Sequence, residues 1–322
     1  MCAGPSPFSG SALKEEGASI YSPSVMVSGD RLDVRVARDF ALSRRKAQDA
    51  IGAGQVDVGP QRVREAGYRV EASSTVTYHP NRRREEAIRL SLPCAFQDEH
   101  FAVVDKPPGL LTVPTDGGSG EDCVLTRLRA DLTRVRGPRA YVGALHRLDR
   151  GTSGLVAIAL SREGHAAGRA AFRDHAFLRR YLALVEGVPE PASGTIDLPI
   201  ADEYESGQRH VARDEDEPSR HAVTHYKVRE RFPHAALLEV ELDTGRQHQI
   251  RLHLRAIGHP IMGDGVYGRV RRPALSRPLL HACKLVFPHP LTGQTIDCQS
   301  EPPVDFALAL RRLRNRGGRA RP

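Results

Sequence analysis

The sequence predicts an α+β protein with about two domains, a small α-rich one followed by a larger one built around a sheet. Its length of 322 residues exceeds the roughly 100–200 residues of one typical domain. After residue 93, apolar or alternating stretches of strand length are interleaved with helix-like stretches. A charge-dense segment, residues 81–92, separates this region from a shorter helical one, and such a composition is typical of a linker.

The first domain is expected over residues 30–80, after a flexible tail of residues 1–29 that is rich in Ser, Gly and Pro. Apolar side chains recur at every fourth position over residues 32–40, which predicts a helix. Ser43 is a typical N-cap for a second helix, and the glycines that follow that helix are typical of its end. A short strand is predicted at residues 56–58.

The second domain is expected over residues 93–310, followed by a basic tail at residues 311–322. Strands are predicted in FAVVDKP, GLVAIAL, RYLALVEG and ALLEVEL, which begin at residues 101, 154, 180 and 236. The tail is predicted to be a solvated, disordered end, and a specific RNA contact is the alternative.

The charge of the chain is carried almost entirely by arginine. Basic residues outnumber acidic ones by 47 to 39, which gives a net charge of +8, and only five of the 47 are lysines. Guanidinium groups bind phosphate bidentately and stack on bases, so this balance favours a polyanionic partner. A genome with biased base composition would produce the same ratio, and composition alone leaves both explanations open.

Several classes of protein are excluded by simple patterns. The longest apolar run, residues 155–160, is far shorter than the ~20 residues that cross a bilayer. The five cysteines form no CxxC pair, so we expect neither a zinc site nor a disulfide framework, and a reducing, cytoplasmic setting fits them best. The histidines lack the spacing of a helical metal motif. GDGVYG at residues 263–268 has the glycine spacing of a dinucleotide loop, but no strand precedes it, so it is predicted to be a turn.

Asp149 is the first candidate for chemistry. It lies between Arg147 and Arg150 and precedes a Gly-Thr-Ser-Gly turn that leads into an apolar strand. Positive neighbours and the amides of such a turn favour the ionised carboxylate, which suits a nucleophile or a base. A structural aspartate in a turn is the alternative at this point.

A second candidate is the stretch LDTGRQHQIRLHLRAIGH, which is predicted to be a helix. Thr244 and Gln247 have the spacing of a capping box, and a glycine follows the last apolar position. The first half of the stretch carries Arg246, His248 and Arg251, where free backbone amides and the helix dipole also favour anions. A solvated charged face is the alternative.

Together these stretches resemble the RluA-type pseudouridine synthases, whose signature HRLD-x-x-TSG stands in full at residues 146–154. The resemblance continues through RRYLALVEG at 179–187 and TGRQHQIR at 244–251, and it covers residues 93–306. Residues 31–58 resemble the small RNA-binding domain named after ribosomal protein S4.

This resemblance implies a mixed, mainly antiparallel sheet and an enzyme that isomerises specific uridines to pseudouridine in structured RNA, above all large-subunit ribosomal RNA. It implies that Asp149 is the nucleophile or base, that Tyr181 stacks on the target base and that Arg251 is the countercharge of Asp149. Because the isomerisation involves no redox change, no cofactor or metal is expected. The alternatives are a synthase that acts on tRNA and a non-catalytic RNA-binding or ribosome-assembly protein.

RNA contacts are expected on both domains, around a uridine flipped into a pocket and along a stem. The residues assigned to them are Arg147, Arg246 and His248 in the second domain and Arg44, Arg45 and Lys46 in the first. One departure from the family is Gly59-Pro60 after the short strand, where Pro60 removes a donor and the turn is expected to be rearranged. The insertion from Tyr204 to Arg220 shows no family pattern. Nothing in the sequence requires more than a monomer.

Overall fold

The computed structural model describes residues 29–80, 89–115, 120–202, 204–205, 208–214, 216–268 and 275–317. The chain divides into two compact units, Met1–Glu85 and Glu86–Pro322. All but the last residue of the predicted tail at residues 1–29 lies outside the described residues. No helix in the described ranges is long and apolar enough to cross a membrane.

The first unit is a helix pair with short strands. Its elements are β1 (Asp30–Arg31), α1 (Leu32–Asp39), α2 (Arg44–Gly52), β2 (Val56–Val58), β3 (Gln61–Arg62), β4 (Arg69–Val70) and β5 (Val76–Tyr78). Strand β2 pairs with β3 and β5, and β1 pairs with β4. The predicted cap at Ser43 is present, since its Oγ accepts the backbone N–H of Lys46 at 3.3 Å. Leu32, Val36 and Ile51 are fully buried and join the two helices in one small core.

Gly59 and Pro60, where the sequence departs from the family pattern, form a two-residue hairpin turn between β2 and β3, because Val58 pairs with Gln61. Gly59 has a φ of +56°, which a glycine adopts without strain at the first central position of a tight hairpin. Pro60 occupies the second position, where its missing N–H is not needed by the ladder.

The second unit has one large sheet with helices around it. Its elements are β6 (Cys94–Gln97), β7 (Phe101–Lys106), α3 (Val124–Arg136), β8 (Gly143–Ala144), β9 (Ser153–Ala159), α4 (Arg162–Arg173), β10 (Leu178–Glu186), β11 (Ser193–Asp197), β12 (Ile200–Ala201), β13 (Ser219–Arg220), β14 (Val223–Phe232), β15 (Ala235–Leu242), α5 (Gln249–Ala256), β16 (Leu280–Pro288), β17 (Thr295–Gln299) and α6 (Val304–Gly317). The strand order is β11-β14-β15-β10-β16-β9-β7-β6, with β17 beside β16 and β8 beside β9. The predicted mixed, mainly antiparallel sheet is confirmed, since only the β9–β16 pair is parallel among these strands.

Strand β9 lies at the centre of the core and is buried along its whole length. Val156 and Ile158 face one apolar cluster, whereas Leu155 and Ala157 face another on the opposite side of the sheet. Apolar cover on both faces explains why the GLVAIAL sequence does not alternate with polar residues. The strand that follows Asp149 is therefore anchored from both sides.

Two predicted boundaries are corrected. The linker was expected to end at residue 92, but Leu92 is only 4% exposed and packs in the core of the second unit. The backbone N–H of Ser91 donates to Asp131 Oδ2 at 2.7 Å. The chain therefore joins the second unit before residue 93, because these contacts stabilise it there; residues 81–88 lie outside the described residues.

The basic tail was expected to begin at residue 311, but helix α6 continues to Gly317. The helix packs on the sheet through Phe306, which is fully buried. Further along, Arg314 forms an ion pair with Glu230 of β14 at 2.7 Å. Seven of the twelve residues of the supposed tail are therefore helical, because an apolar face and an ion pair with β14 stabilise the helix. Residues 318–322 lie outside the described residues.

Candidate active site

A cavity of about 840 Å³ opens beside the turn that carries Asp149. Its other walls are formed by β10, by α4 and by the segment between β15 and α5. Eight arginines but only three aspartates line it, namely Arg147, Arg169, Arg173, Arg179, Arg209, Arg220, Arg246 and Arg251 against Asp149, Asp202 and Asp243. Its volume lies within the range of small-molecule sites, and its charge favours an anionic ligand.

The backbone around Asp149 is fixed on both sides. Before it, the Thr112 hydroxyl donates to the Leu148 carbonyl at 2.9 Å and accepts the Leu148 N–H at 3.0 Å. After it, the Arg150 carbonyl accepts the Lys106 ammonium at 3.2 Å. Burial lowers the pKa of Lys106 to about 7. The Asp149 side chain itself is 18% exposed and lines the cavity.

The TSG end of the signature is explained by a close approach of two strands. Gly154 pairs with Ala282 in the parallel β9–β16 contact and has a φ of +108°. A Cβ at this position would lie 2.3 Å from the Ala282 carbonyl oxygen. Any side chain would therefore separate the strands that anchor the Asp149 turn.

Arg251 contacts Asp149, as predicted. Its Nη1 donates to Asp149 Oδ2 at 3.2 Å, from the first turn of the short helix α5. Its two other nitrogens, Nε and Nη2, donate to Asp264 at 2.7 and 2.8 Å. Although burial acts to raise it, the pKa of Asp264 is lowered by these bonds from Arg251. The guanidinium is thus held in one orientation by one carboxylate while it reaches the other.

Sequence reasoning missed Asp264. The GDGVYG stretch is a turn, as predicted, and Asp264 organises it, because its Oδ1 accepts the N–H groups of Val266 and Tyr267 at 3.0 and 3.1 Å. Its side chain is fully buried. A buried charge requires a partner of opposite charge, and the Asp-Gly turn signal alone did not say which arginine that partner is.

The predicted capping box at Thr244 and Gln247 is wrong. Helix α5 begins at Gln249, and its N-cap is His248. The Thr244 hydroxyl donates to Gln249 Oε1 at 2.8 Å, and the N–H of Arg246 donates to the same oxygen at 2.9 Å. Gln249 takes these donors because its own amide is fixed in the core, where Nε2 donates to the Val223 carbonyl of β14 at 2.9 Å. Thr244 to His248 is therefore a loop at the edge of the cavity.

His248 adopts a left-handed backbone conformation, with a φ of +59°. Its Nδ1 lies 2.9 Å from the Tyr267 hydroxyl, and its Nε2 lies 3.9 Å from Asp149 Oδ2. Burial lowers the pKa of His248. A non-glycine residue in this conformation beside a candidate catalytic carboxylate is typical of a functional site.

Tyr181 lies in the middle of β10 and lines the cavity. It is 5% exposed, and burial raises its pKa, so its phenol is neutral near pH 7. Two residues earlier, buried Arg179 donates to the Leu242 and Asp243 carbonyls at 3.2 and 3.3 Å. Sequence reasoning missed Arg179, which holds the end of β15 against the cavity.

His146 of the signature lies in the wall of the cavity, where its ring contacts other parts of the protein. Its Nε2 accepts the Ala157 N–H at 3.0 Å, and its ring stacks on Phe172 at 5.3 Å. Burial lowers the pKa of His146 to about 3. The ring is therefore neutral and joins the Asp149 turn to β9.

The residues predicted to bind RNA fall into two sets. Arg147, Arg246 and His248 line the same cavity as the three predicted catalytic residues. Arg44, Arg45 and Lys46 form the first turn of α2 in the other unit and are exposed. Of these, Arg44 donates to the buried Asp33 at 3.1 Å. Within the described ranges, no group of three or more His, Cys, Asp or Glu side chains is placed to hold a metal ion.

Known RNA pseudouridine synthases resemble this chain in sequence and in fold. The family model described as RNA pseudouridylate synthase matches residues 100–256, and the S4 domain model matches residues 30–76. A relative from Zymomonas mobilis, "Ribosomal large subunit pseudouridine synthase D", is 34% identical over 88% of this chain and 94% of its own length. A protein of the same name from Pseudomonas aeruginosa is 37% identical over 70% and 72%. The solved structure of "Human RNA Pseudouridylate Synthase Domain Containing 4" has a TM-score of 0.58 and 25% identity, and covers 69% of this chain and 93% of that one.

The HRLD-x-x-TSG signature therefore stands in a chain whose fold and relatives are those of pseudouridine synthases. The extent of the match to the Zymomonas relative, nearly the full length of both chains, rules out a likeness confined to one motif. The chain belongs to the RluA-type family of RNA pseudouridine synthases, enzymes that isomerise uridine in RNA, and it carries an S4 RNA-binding domain before the catalytic domain.

Proposed function

We propose that this protein converts specific uridines of large-subunit ribosomal RNA to pseudouridine and that Asp149 is its nucleophile or base. The observation that carries this assignment is the contact of the Asp149 carboxylate with Arg251 at 3.2 Å inside an arginine-lined cavity. The choice of ribosomal RNA is supported by the names of relatives from three bacteria, Zymomonas, Nitrosomonas and Pseudomonas.

The reaction sets what the site must supply. The bond from uracil N1 to ribose C1′ breaks, the base turns, and C5 bonds to C1′; C5 then loses its hydrogen while N1 gains a proton. Atoms and electrons balance without an oxidant or a cofactor. Asp149 serves as the nucleophile or base, and Arg251 balances its charge in the cavity, where an unpaired carboxylate would be costly. The neutral ring of Tyr181 stacks on the base while it is detached.

A uridine in structured RNA reaches such a cavity by flipping out of its stack, which costs a few kcal/mol. Planar arginine and aromatic side chains at the cavity offset this cost. Arg147, Arg246 and His248 bind the phosphates around the flipped nucleotide, while Arg44, Arg45 and Lys46 of the S4 domain bind a neighbouring stem. All the residues that we assign to the site lie in one chain, so the proposed active form is a monomer. The proposed location of the protein is the cytoplasm, where bacterial ribosomes are assembled.

Asp149→Asn tests the assignment. We expect it to abolish tritium release from RNA labelled at uridine C5, because that hydrogen leaves only after the new bond forms, and to leave RNA affinity within a few fold. Asp243→Asn is the matched control, since Asp243 lines the same cavity without contacting Arg251, and it keeps turnover. Retained turnover in Asp149→Asn contradicts the role of Asp149.

The substrate is tested by mapping pseudouridines across total RNA from a strain that lacks this gene. Loss of one or more positions from large-subunit ribosomal RNA is the expected result. Loss from tRNA alone identifies a tRNA synthase instead. An unchanged map, with no turnover by the purified protein, favours the non-catalytic RNA-binding role.

A further inference from the structure

The described part of the polar insertion after β12 contains a stacked pair of side chains, Tyr204 and Arg209. The guanidinium carbon of Arg209 lies 4.3 Å from the centroid of the Tyr204 ring. Arg209 Nη1 also donates to the carbonyls of Ala201 and Asp202, both at 2.8 Å. The Tyr204 hydroxyl donates to Gln247 Oε1 at 3.0 Å. Both members of the pair are therefore fixed before any ligand binds.

The pair borders the active-site cavity. Arg209 and Gln247 both line that cavity. Gln247 is the sequence neighbour of His248, whose Nε2 lies 3.9 Å from Asp149. The backbone of Arg209 also lies against the Tyr267 hydroxyl, which contacts His248 Nδ1 at 2.9 Å. A continuous chain of contacts thus joins the insertion to the candidate catalytic carboxylate.

A second cavity, of about 440 Å³, begins at Arg209. Its lining includes His210, Arg213 and Arg255, with Glu205 as its carboxylate. Arg209 is shared by both cavities. The arginine lining therefore continues away from Asp149 past the stacked pair, which suits a strand of phosphates rather than a single small anion.

Tyr204 is available for a ligand. It is 51% exposed, although Arg209 stacks on its ring. The Nε of Arg209 is buried and makes no hydrogen bond with a described residue. An exposed ring that is already fixed in place binds a planar group without much loss of side-chain freedom.

We propose that Tyr204 and Arg209 bind a nucleotide that adjoins the target uridine, with its base stacked on the exposed part of the Tyr204 ring. This inference rests on the proposed function and makes the insertion a determinant of substrate choice. A nucleobase fits better than a peptide because arginines line both cavities and every base offers a flat face to an aromatic ring.

Replacement of bases one at a time tests the pair. Hairpins are taken from the unmodified large-subunit rRNA transcript around a uridine that the wild-type chain converts, and each flanking nucleotide is made abasic in turn. For wild type and Tyr204→Phe, we expect one position whose abasic form binds about 5- to 150-fold more weakly, the range that one base–aromatic stack supplies. Tyr204→Ala loses this dependence, binds the intact hairpin as weakly as wild type binds the abasic one, and keeps kcat at saturating RNA.

Leu291→Ala is the control, because Leu291 is an exposed apolar residue that lines neither cavity. In the Leu291→Ala variant, we expect each abasic position to change hairpin affinity as it does in wild type. Identical profiles for wild type and Tyr204→Ala overturn the role of the pair and leave the proposed function standing. If the wild-type chain converts no uridine in the transcript, the proposed function fails and the pair's role fails with it. Equal weakening at every position in Tyr204→Ala, with a lowered melting temperature, also contradicts a specific stack.

Discussion

The arginines of the candidate active-site cavity differ in their burial and in their hydrogen-bond partners. Arg251 and Arg179 are each about 8% exposed, and their hydrogen bonds with described residues go to carboxylates or backbone carbonyls. Arg147 and Arg246 are exposed at the rim. With the described residues, the Arg246 guanidinium makes one hydrogen bond, from Nε to the His221 carbonyl at 3.0 Å, and the Arg147 guanidinium makes none.

This difference separates two uses of the same side chain. A buried guanidinium has lost its freedom during folding and presents its charge at one point, which suits a countercharge for a reacting carboxylate. The charge of an exposed guanidinium is screened by salt, and its side chain is free to rotate towards a phosphate. Such a group suits RNA affinity. Substitutions of the buried arginines should therefore change turnover, whereas substitutions at the rim should change binding and its salt dependence.

The largest effect is expected for Arg251→Met. Removal of the guanidinium leaves Asp149 without its countercharge and Asp264 as a buried, unpaired carboxylate. We expect kcat to fall by about 100- to 1,000-fold, as for loss of a fixed electrostatic partner, and RNA affinity to change by only a few fold. Single-turnover kinetics and filter binding measure the two quantities separately.

Arg147→Met is the matched control, since it makes the same chemical change at the rim of the same cavity. It should weaken binding and leave kcat nearly unchanged. If Arg251→Met instead weakens binding in proportion to turnover, Arg251 is a phosphate contact and the two groups of arginines do not differ in use. Arg251→Lys separates charge from geometry, because a lysine restores the charge but cannot reach both carboxylates with a planar fork.

Asp264→Asn should have the next largest effect, on stability and turnover together. Breaking a buried ion pair costs about 3–5 kcal/mol, and Arg251 loses one of the two oxygen acceptors that orient it, because an amide keeps only one oxygen. The pKa of Asp264 is depressed, so its stabilising contribution is present above about pH 4 and is lost as the pH falls through its lower folded value. The difference in unfolding free energy between wild type and variant should therefore shrink in acid. A difference that is the same at pH 7 and pH 3 would contradict the ion-pair role.

The sequence predicted the local features well. Ser43 caps α2, the GDGVYG stretch is a turn, and β9 carries the long apolar run after Asp149. Each depends on residues within a few positions of one another, where spacing and turn chemistry are sufficient. The contact between Asp149 and Arg251 spans 102 positions and came from the resemblance to a family rather than from spacing.

The features that sequence reasoning missed depend on distant partners. Gln249 is fixed by β14, 26 positions earlier, and this contact moved the start of α5 away from the capping box that the Thr244 spacing had suggested. Asp264 is 13 positions from Arg251, and nothing in the turn that it organises names its partner. Leu92 belongs to the second unit through core packing and Arg314 through an ion pair with β14, although their sequence neighbours are charge-rich. Tertiary contacts decided these cases because they offset weak local preferences.

Deletion of residues 1–80 extends the comparison to the S4 domain. The first turn of α2 carries Arg44, Arg45 and Lys46. Like the rim arginines of the cavity, these three side chains are basic and exposed. We expect affinity for a long rRNA fragment to fall by about 10- to 100-fold and the dependence of log K on log salt to become shallower, as phosphate contacts are lost. Turnover on a short hairpin at saturation should be kept, because the second unit has its own core. Complete inactivity on the hairpin would show that the first unit takes part in catalysis.

The smallest effect is expected for Arg246→Ala. Its guanidinium is exposed and is held by one bond, so its loss should weaken RNA binding by only a few fold and make the salt slope shallower by about 1, the value for one phosphate contact. Arg311→Ala on the exposed side of α6 is the control, since Arg311 lies outside both cavities. Binding of the rRNA hairpin measured between 50 and 200 mM salt gives both slopes. An unchanged slope with lower kcat would place Arg246 beside Arg251 in function, because a group that acts on the reacting atoms alters turnover without releasing counterions.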